Sequence, residues 1–166
     1  MTLALPTYEQ VRALPCAMEL TVPDSYGDHN GHMNVRNYLG LHDDAGFRYF
    51  TGLGFGDAYI RRERRGFFDL EQHLRYHAEV LVGEKVAVHP RLLARSEKVV
   101  YVMSFLLNVT NRQVANTFEV AMAHVDLEAR RTTPFQGPTV AELDRRLQAD
   151  NLLGWHAPTC GSIEVR

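Results

Sequence analysis

From Val35 onward the apolar positions recur at helical spacing. Val35, Tyr38, Leu39, His42, Ala45, Tyr49, Phe50 and Leu53 fall on one side when each residue advances about 100°, and Arg36, Asn37, Asp44 and Arg48 fall on the other. Asn34 is a favoured N-cap type, and Gly52 and Gly54 give the helix a place to stop. At ~1.5 Å per residue this helix is about 27 Å long, enough to cross a sheet.

Ahead of it, Thr7–Leu14 reads as a short helix stopped by Pro15, and Cys16–Val22 as a strand ended by Pro23. Asp24–Asn34 is polar and turn-rich. After a charged linker, Asp57–Arg65, the period changes to two. Phe68, Leu70, Leu74, Tyr76, Ala78, Val80 and Val82 alternate with polar residues, which predicts a long strand with one buried face. Gly83-Glu84, Ser96-Glu97 and Asn111-Arg112 are turns between strands centred on Val86–Arg95, Lys98–Val109 and Val114–Leu127. Lys98–Val109 is apolar at nearly every position, the pattern of a central strand. Pro134 and Pro138 break the chain before a surface helix, Val140–Ala149, and Asn151–Arg166 has no period. Short turns force antiparallel neighbours, and one long helix must bury its stripe on the apolar face of such a sheet. The prediction is a two-layer α+β domain spanning 1–166, with its core in 16–130 and a C-terminal helix and tail in 138–166.

Composition narrows the function classes. Apolar residues make up 45% of the 166 and charged residues 23%, with a formal net charge of −2. That near-neutral balance offers little attraction to nucleic acid or an anionic membrane. No apolar run approaches the ~20 residues that span a bilayer, and the N-terminus lacks a basic region before an apolar stretch. Cys16 and Cys160 are too few for a disulfide framework. A cytoplasmic, soluble protein is the expectation.

The chemistry-bearing segment is Asp28-His29-Asn30-Gly31-His32-Met33-Asn34, four residues before Tyr38. A carboxylate here sits in a glycine-containing turn ahead of a long helix, whose free first-turn N–H groups and dipole favour negative charge. Such a site can hold a carbonyl whose oxygen becomes an oxyanion, while the carboxylate activates water or attacks directly. The structural alternative is that Asp28 and Asn34 only cap the turn and the helix.

The Asp-x-x-Gly-His-x-Asn-x-x-x-Tyr string opening a long helix and followed by antiparallel strands resembles the hotdog-fold acyl-CoA thioesterases, in particular the 4-hydroxybenzoyl-CoA-thioesterase-like group. Gly31-His32-Met33-Asn34-Val35 is similar to the betainyl-CoA thioesterases that accompany carnitine dehydrogenase, and Tyr76-x-x-Glu79 with Gly83-Glu84 is a second matching piece. The resemblance covers roughly 16–130. It implies a long central helix wrapped by a five-stranded antiparallel sheet, and a homodimer or dimer of dimers with active sites between subunits. It also implies hydrolysis of a small acyl-CoA without cofactor or metal. By position, Asp28 is the active-site carboxylate and the Gly31 or His32 backbone N–H holds the oxyanion. Asn30, Asn34 and Tyr38 then shape the substrate site. Many relatives carry a second Asp where this chain has Tyr26, so Asp28 would work alone. A non-catalytic acyl-CoA-binding module and a hydratase or dehydratase are the competing readings, the latter echoed only by His42-Asp43.

Other candidates carry less. His29 and His32 lack a third metal ligand at a recognisable spacing. His73 and His77 share a strand face about 13 Å apart, too far to chelate one ion. His42 on the apolar stripe reads as a satisfied core histidine, and Asp44 as part of a solvated face, with Asp43 a reserve helix carboxylate. Arg61-Arg62-Glu63-Arg64-Arg65 could meet CoA phosphates but reads first as a solvated linker. If a trimethylammonium group is bound, Tyr26, Phe67, Phe68, Tyr76 and Trp155 are the available aromatic faces. Neither cysteine has a neighbour that would activate it, and serine-esterase, NTPase and dinucleotide-binding motifs are absent from the sequence.

Overall fold

The computed structural model describes residues 4–165. A short helix α1 (Tyr8–Arg12) and strand β1 (Met18–Thr21) lead through a 3-10 turn, Asp24–Tyr26, to the long helix α2 (Val35–Gly52). A second short helix α3 (Asp57–Glu63) follows. Strands β2 (Arg65–Tyr76), β3 (Lys85–Arg95), β4 (Val99–Asn108), β5 (Gln113–Asp126) and β6 (Arg131–Thr132) precede helix α4 (Pro138–Asn151). The sheet is antiparallel in the order β1-β3-β4-β5-β2, and the two-residue β6 pairs with the far end of β5. The five-stranded sheet predicted from the sequence is therefore present with one short addition.

α2 begins and ends where its capping residues predict: Asn34 accepts a hydrogen bond from the Arg36 N–H at 3.1 Å, and the helix stops at Gly52. Its buried stripe is Tyr38, Leu41, His42, Ala45, Tyr49 and Phe50. Val35 and Leu39, predicted on that stripe, stay exposed at 60% and 38%, because the sheet meets the helix along a line turned towards Leu41. On the sheet side the floor is built by Val86, Val88 and Leu92 of β3, Val100, Val102 and Leu106 of β4, and Phe118 and Val120 of β5.

β2 departs from the simple alternation. Leu70 bulges between Asp69 and Glu71, so the strand reverses its faces there. Phe67 packs inward on Phe50 at 4.7 Å between ring centroids, while Phe68 and Leu70, predicted as buried, are 64% and 53% exposed. β2 also ends at Tyr76, and Ala78–Val82 continues as a loop that pairs with the Asp28 turn through an isolated His32–Leu81 bridge. The predicted linker 57–65 contains α3.

The second face of the central strands is covered as well. Val11 of α1 and Leu14 just after it pack with Met103, Phe105, Leu107 and the tail residue Ala157, and Ile163 packs on Tyr101 and Ala121. The tail without a sequence period is thus docked as irregular chain. α4 is docked too: Asp150 is fully buried, its Oδ2 accepts the Leu92 N–H at 2.9 Å and the Arg146 Nε–H at 3.0 Å, and its carbonyl accepts Arg91 Nη2 at 3.0 Å.

Asp150→Ala would leave the Leu92 amide and the Arg146 guanidinium without their acceptor. We expect a loss of about 2–4 kcal/mol, read as a lower urea midpoint at unchanged slope. Asp150→Asn, which keeps an oxygen for Leu92, should lose clearly less.

Candidate active site

The turn before α2 is assembled from its own backbone. The Asp28 N–H donates to the His32 carbonyl at 3.0 Å, the Gly31 N–H donates to the Asp28 carbonyl at 3.0 Å, and Asn34 N–H donates to the Tyr26 carbonyl at 2.8 Å. Gly31 sits at φ +81°, a left-handed conformation that strains any side chain although open space surrounds it. The Met33 N–H reaches the Val80 carbonyl at 2.7 Å, and Asn37 Nδ2 reaches the Tyr26 carbonyl at 3.0 Å, which ties the turn to the loop after β2 and to the helix.

Within this frame the Asp28 carboxylate is held at one end. Oδ1 accepts the Asn30 N–H at 2.8 Å and lies 3.9 Å from His32 Nε2. Oδ2 has no hydrogen-bond partner among the described residues. Asp28 borders a cleft of about 460 Å³ whose other walls include Tyr38, Tyr76, His77 and Glu79. Tyr38 meets Tyr76 edge-on at 5.1 Å, closing the cleft floor between α2 and the end of β2, and burial raises the pKa of both phenols. His77 donates to or accepts from Thr117 Oγ1 at 3.1 Å, and burial lowers its pKa.

The predicted site residues divide accordingly. Asp28, His32 and Tyr38 come together at the cleft. The Gly31 amide is already spent on the Asp28 carbonyl, so the His32 amide, which has no acceptor among the described residues, is the donor left for an oxyanion. Asn30 contributes its backbone to Asp28 while the residue itself is exposed, and Asn34 is the helix cap, so neither forms the cleft wall. The cleft also takes in Tyr76, named from the sequence only as an available aromatic face, and His77 and Glu79, which the sequence reading did not place beside Asp28. Only Tyr76-x-x-Glu79 carried a signal, because the meeting of β2's end with α2 is set by long-range pairing.

The other candidates are placed by their partners. Arg62 pairs with Glu63 at 2.7 Å and Arg64 with Glu128 at 3.3 Å, so the basic run is partly neutralised on the surface. His42 is buried in the middle of α2. Its Nε2 lies 2.6 Å from Asn116 Oδ1 and its Nδ1 2.8 Å from Ser104 Oγ. Asn116 Nδ2 donates to the Arg75 carbonyl at 2.8 Å, which turns Oδ1 towards His42 and assigns the ring proton to Nε2. Ser104 is then the donor to Nδ1. Beyond His42 lies a second cavity, about 310 Å³, between α2 and the inner sheet face.

Comparison with known proteins fits this geometry. Residues 22–147 match the family model described as the thioesterase-like superfamily. The chain is 32% identical over 126 residues, 76% of its length, to the L-carnitine dehydrogenase/betainyl-CoA thioesterase of Agrobacterium fabrum. It spans about a quarter of the length of that protein and of its Rhizobium meliloti counterpart. It is 27% identical over 135 residues to the betainyl-CoA thioesterase of Pseudomonas aeruginosa, covering 81% of this chain and 85% of that one. A hypothetical protein of Staphylococcus aureus solved in complex with CoA superposes over 92% of this chain and 97% of its own, with a TM-score of 0.82 at 21% identity. The curled antiparallel sheet around one long helix is the hotdog fold.

Burial lowers the His42 pKa from 6.5 to about 4. The unfolded chain therefore takes up this proton near pH 6.5 and the folded chain only near pH 4. His42 should cost about 3 kcal/mol of stability as the pH falls across that window. Urea melts at pH 7 and pH 4.5 should show a steeper loss for the wild type than for His42→Gln, which is less stable at pH 7 but flatter with pH. Equal pH slopes would contradict the assignment.

Proposed function

The chain belongs to the thioesterase-like superfamily, and from that premise we propose that it hydrolyses a small acyl-CoA, of the betainyl-CoA class, to the free acid and CoA. The observation that carries this reading is Asp28, fixed through Oδ1 by the Asn30 amide and left with Oδ2 open beside the cleft. Oδ2 takes a proton from a water molecule as the water oxygen bonds to the thioester carbonyl carbon. The carbonyl oxygen becomes an oxyanion and accepts the His32 N–H, with the positive end of the α2 dipole behind it. Collapse re-forms the carbonyl and breaks the C–S bond. The CoA sulfur leaves with the proton that Asp28 took up, so neither a metal nor a redox group is required. Support for the substrate class comes from the betainyl-CoA thioesterases of P. aeruginosa and A. fabrum, and for CoA itself from the S. aureus complex.

The protein acts as a homodimer in this proposal. β2 is an edge strand, and beside its unpaired edge lie exposed Leu70 and Tyr76 of the strand and exposed Val35, Leu39 and Phe47 of α2. A free edge flanked by apolar side chains is covered most simply by a second copy pairing in the same way.

Asp28→Asn should lower CoA release from a panel of betainyl-, acetyl-, butyryl-, benzoyl- and palmitoyl-CoA by about 10²–10⁴-fold on the preferred substrate, with an unchanged circular dichroism spectrum. Full activity in the variant would remove Asp28 from the mechanism. Tight acyl-CoA binding without release from any of the five by the wild type would leave a binding module instead. Light scattering behind size exclusion should give twice the chain mass, and Leu70→Lys should halve it. A monomeric wild type refutes the dimer.

A further inference from the structure

The second cavity lies on the opposite side of His42 from the cleft, where α2 and β2 diverge. Its walls include the rings of Phe47, Phe50, Phe67 and Phe118, and Asp43 and Asp69 stand on its rim. No Lys or Arg lines it among the described residues. Its polar floor, His42 and Ser104, is satisfied internally, since Ser104 donates to His42 and His42 to Asn116. With a pKa near 4, His42 is neutral at physiological pH and adds no positive charge. Burial and the nearby Asp43 raise the pKa of Asp69, so the two carboxylates feel each other across the opening.

An aromatic cavity with carboxylates and no cation on its wall suits a compact cation that cannot donate hydrogen bonds. A quaternary ammonium group is weakly hydrated, is attracted to ring faces, and leaves no N–H unsatisfied when buried. A primary ammonium buried among the ring faces would leave N–H donors without acceptors there. We propose that this cavity is the subsite for the trimethylammonium head of the acyl group, with Phe47 and Phe67 as ring faces and Asp43 and Asp69 as counter-charges.

This inference rests on the thioesterase reading above, and it fixes which copy supplies the subsite. One methylene separates the quaternary nitrogen of a betainyl group from its thioester carbonyl. Within one chain the cage is remote from the cleft: Phe47 is nine residues beyond Tyr38 on α2, about 14 Å at ~1.5 Å per residue, and Asp69 is seven residues before Tyr76 on β2, about 23 Å at ~3.3 Å per residue. The acyl group cannot bridge that span. Antiparallel pairing of two β2 edges about a two-fold axis near Gln72 sets Tyr76 of one copy beside Phe67 and Phe68 of the other. The cavity of one copy then opens onto the cleft of its partner, and each site draws its water-activating carboxylate from one chain and its cation cage from the second.

The test compares betainyl-CoA with 3,3-dimethylbutanoyl-CoA, its neutral isostere with carbon in place of nitrogen. Wild-type kcat/KM should favour betainyl-CoA at least tenfold. Asp43→Asn/Asp69→Asn should bring the ratio to within about threefold of unity by losing activity on the cation alone, and Phe47→Leu should lower it at least threefold. Cleavage of both esters at similar rates by the wild type overturns the subsite and leaves the thioesterase standing. Calorimetric titration with glycine betaine and with 3,3-dimethylbutanoate reads the same preference without turnover, so absence of thioesterase activity does not shield the proposal. Equal binding of the two overturns it. Mixing Asp28→Asn with Asp43→Asn/Asp69→Asn chains should restore about a quarter of wild-type betainyl-CoA activity, because each mixed dimer has one intact composite site. No restoration in mixed dimers that form overturns the shared site.

Discussion

The position of α2 on the sheet is fixed by one buried side chain. His42 reaches Ser104 on β4 with one ring nitrogen and Asn116 on β5 with the other, while its ring stacks on Phe118 at 5.2 Å. A helix held only by aliphatic packing can shift along or around its axis at small cost. A helix whose imidazole must meet a hydroxyl and an amide on two different strands has one rotation and one height at which both bonds close. That setting turns Tyr38, one helical turn earlier, onto Tyr76, and turns Asp43 and Phe47 towards the strip that the sheet leaves uncovered beside β2. The cleft, the cavity and the unpaired edge all follow from where this helix is anchored.

The same anchoring explains which parts of the fold could be read from the chain. The limits of α2 were legible because Asn34 at its start and Gly54, left-handed at φ +94° just past the Leu53 cap, act through local capping that needs no knowledge of the sheet. Most of the α2 face was legible, with Tyr38, His42, Ala45, Tyr49, Phe50 and Leu53 buried where the period placed them, but its edge was not. Val35 and Leu39 are apolar and Leu41 is apolar, and nothing in a helical period says that the sheet would choose Leu41. In β2 the alternation Phe68, Leu70, Leu74 looks continuous, yet the Leu70 bulge exchanges the faces within the strand. A bulge is one extra residue opposite β5, a property of the pair and invisible in either strand alone. The tail from 151 lacked a period because irregular chain, not a regular element, covers the outer face over Phe105 and Tyr101.

The candidate site divides along the same line. The Asp28 turn is a local structure, closed by hydrogen bonds within Tyr26–Asn34, and its residue string was sufficient to locate the carboxylate. Tyr76, His77 and Glu79 reach it only through the register of β2 on β5, where Tyr76 pairs with Asn116. Gly31 shows the limit of the motif in the other direction. Its amide is at the predicted position but is consumed in making the turn, so its conformation matters and its N–H does not.

The turn that carries Asp28 also has an electrostatic logic. The backbone carbonyl of Tyr26 receives both the Asn34 N–H and the Asn37 side chain. The turn is thus held by neutral groups, and Asp28 meets no like charge within it. A cationic acyl group adds its own positive charge next to the thioester, which favours both the carboxylate that approaches and the oxyanion that forms. Asp43, midway along α2, and Asp69, within β2, stand at the second cavity and not in the Asp28 turn. In the proposed dimer, pairing of two β2 edges would bring the two acidic centres to either end of one substrate. A substrate with its charge at one end and its reacting bond at the other would then separate them, so the carboxylates proposed to select the cation and the one proposed to activate water would serve different atoms of the same molecule.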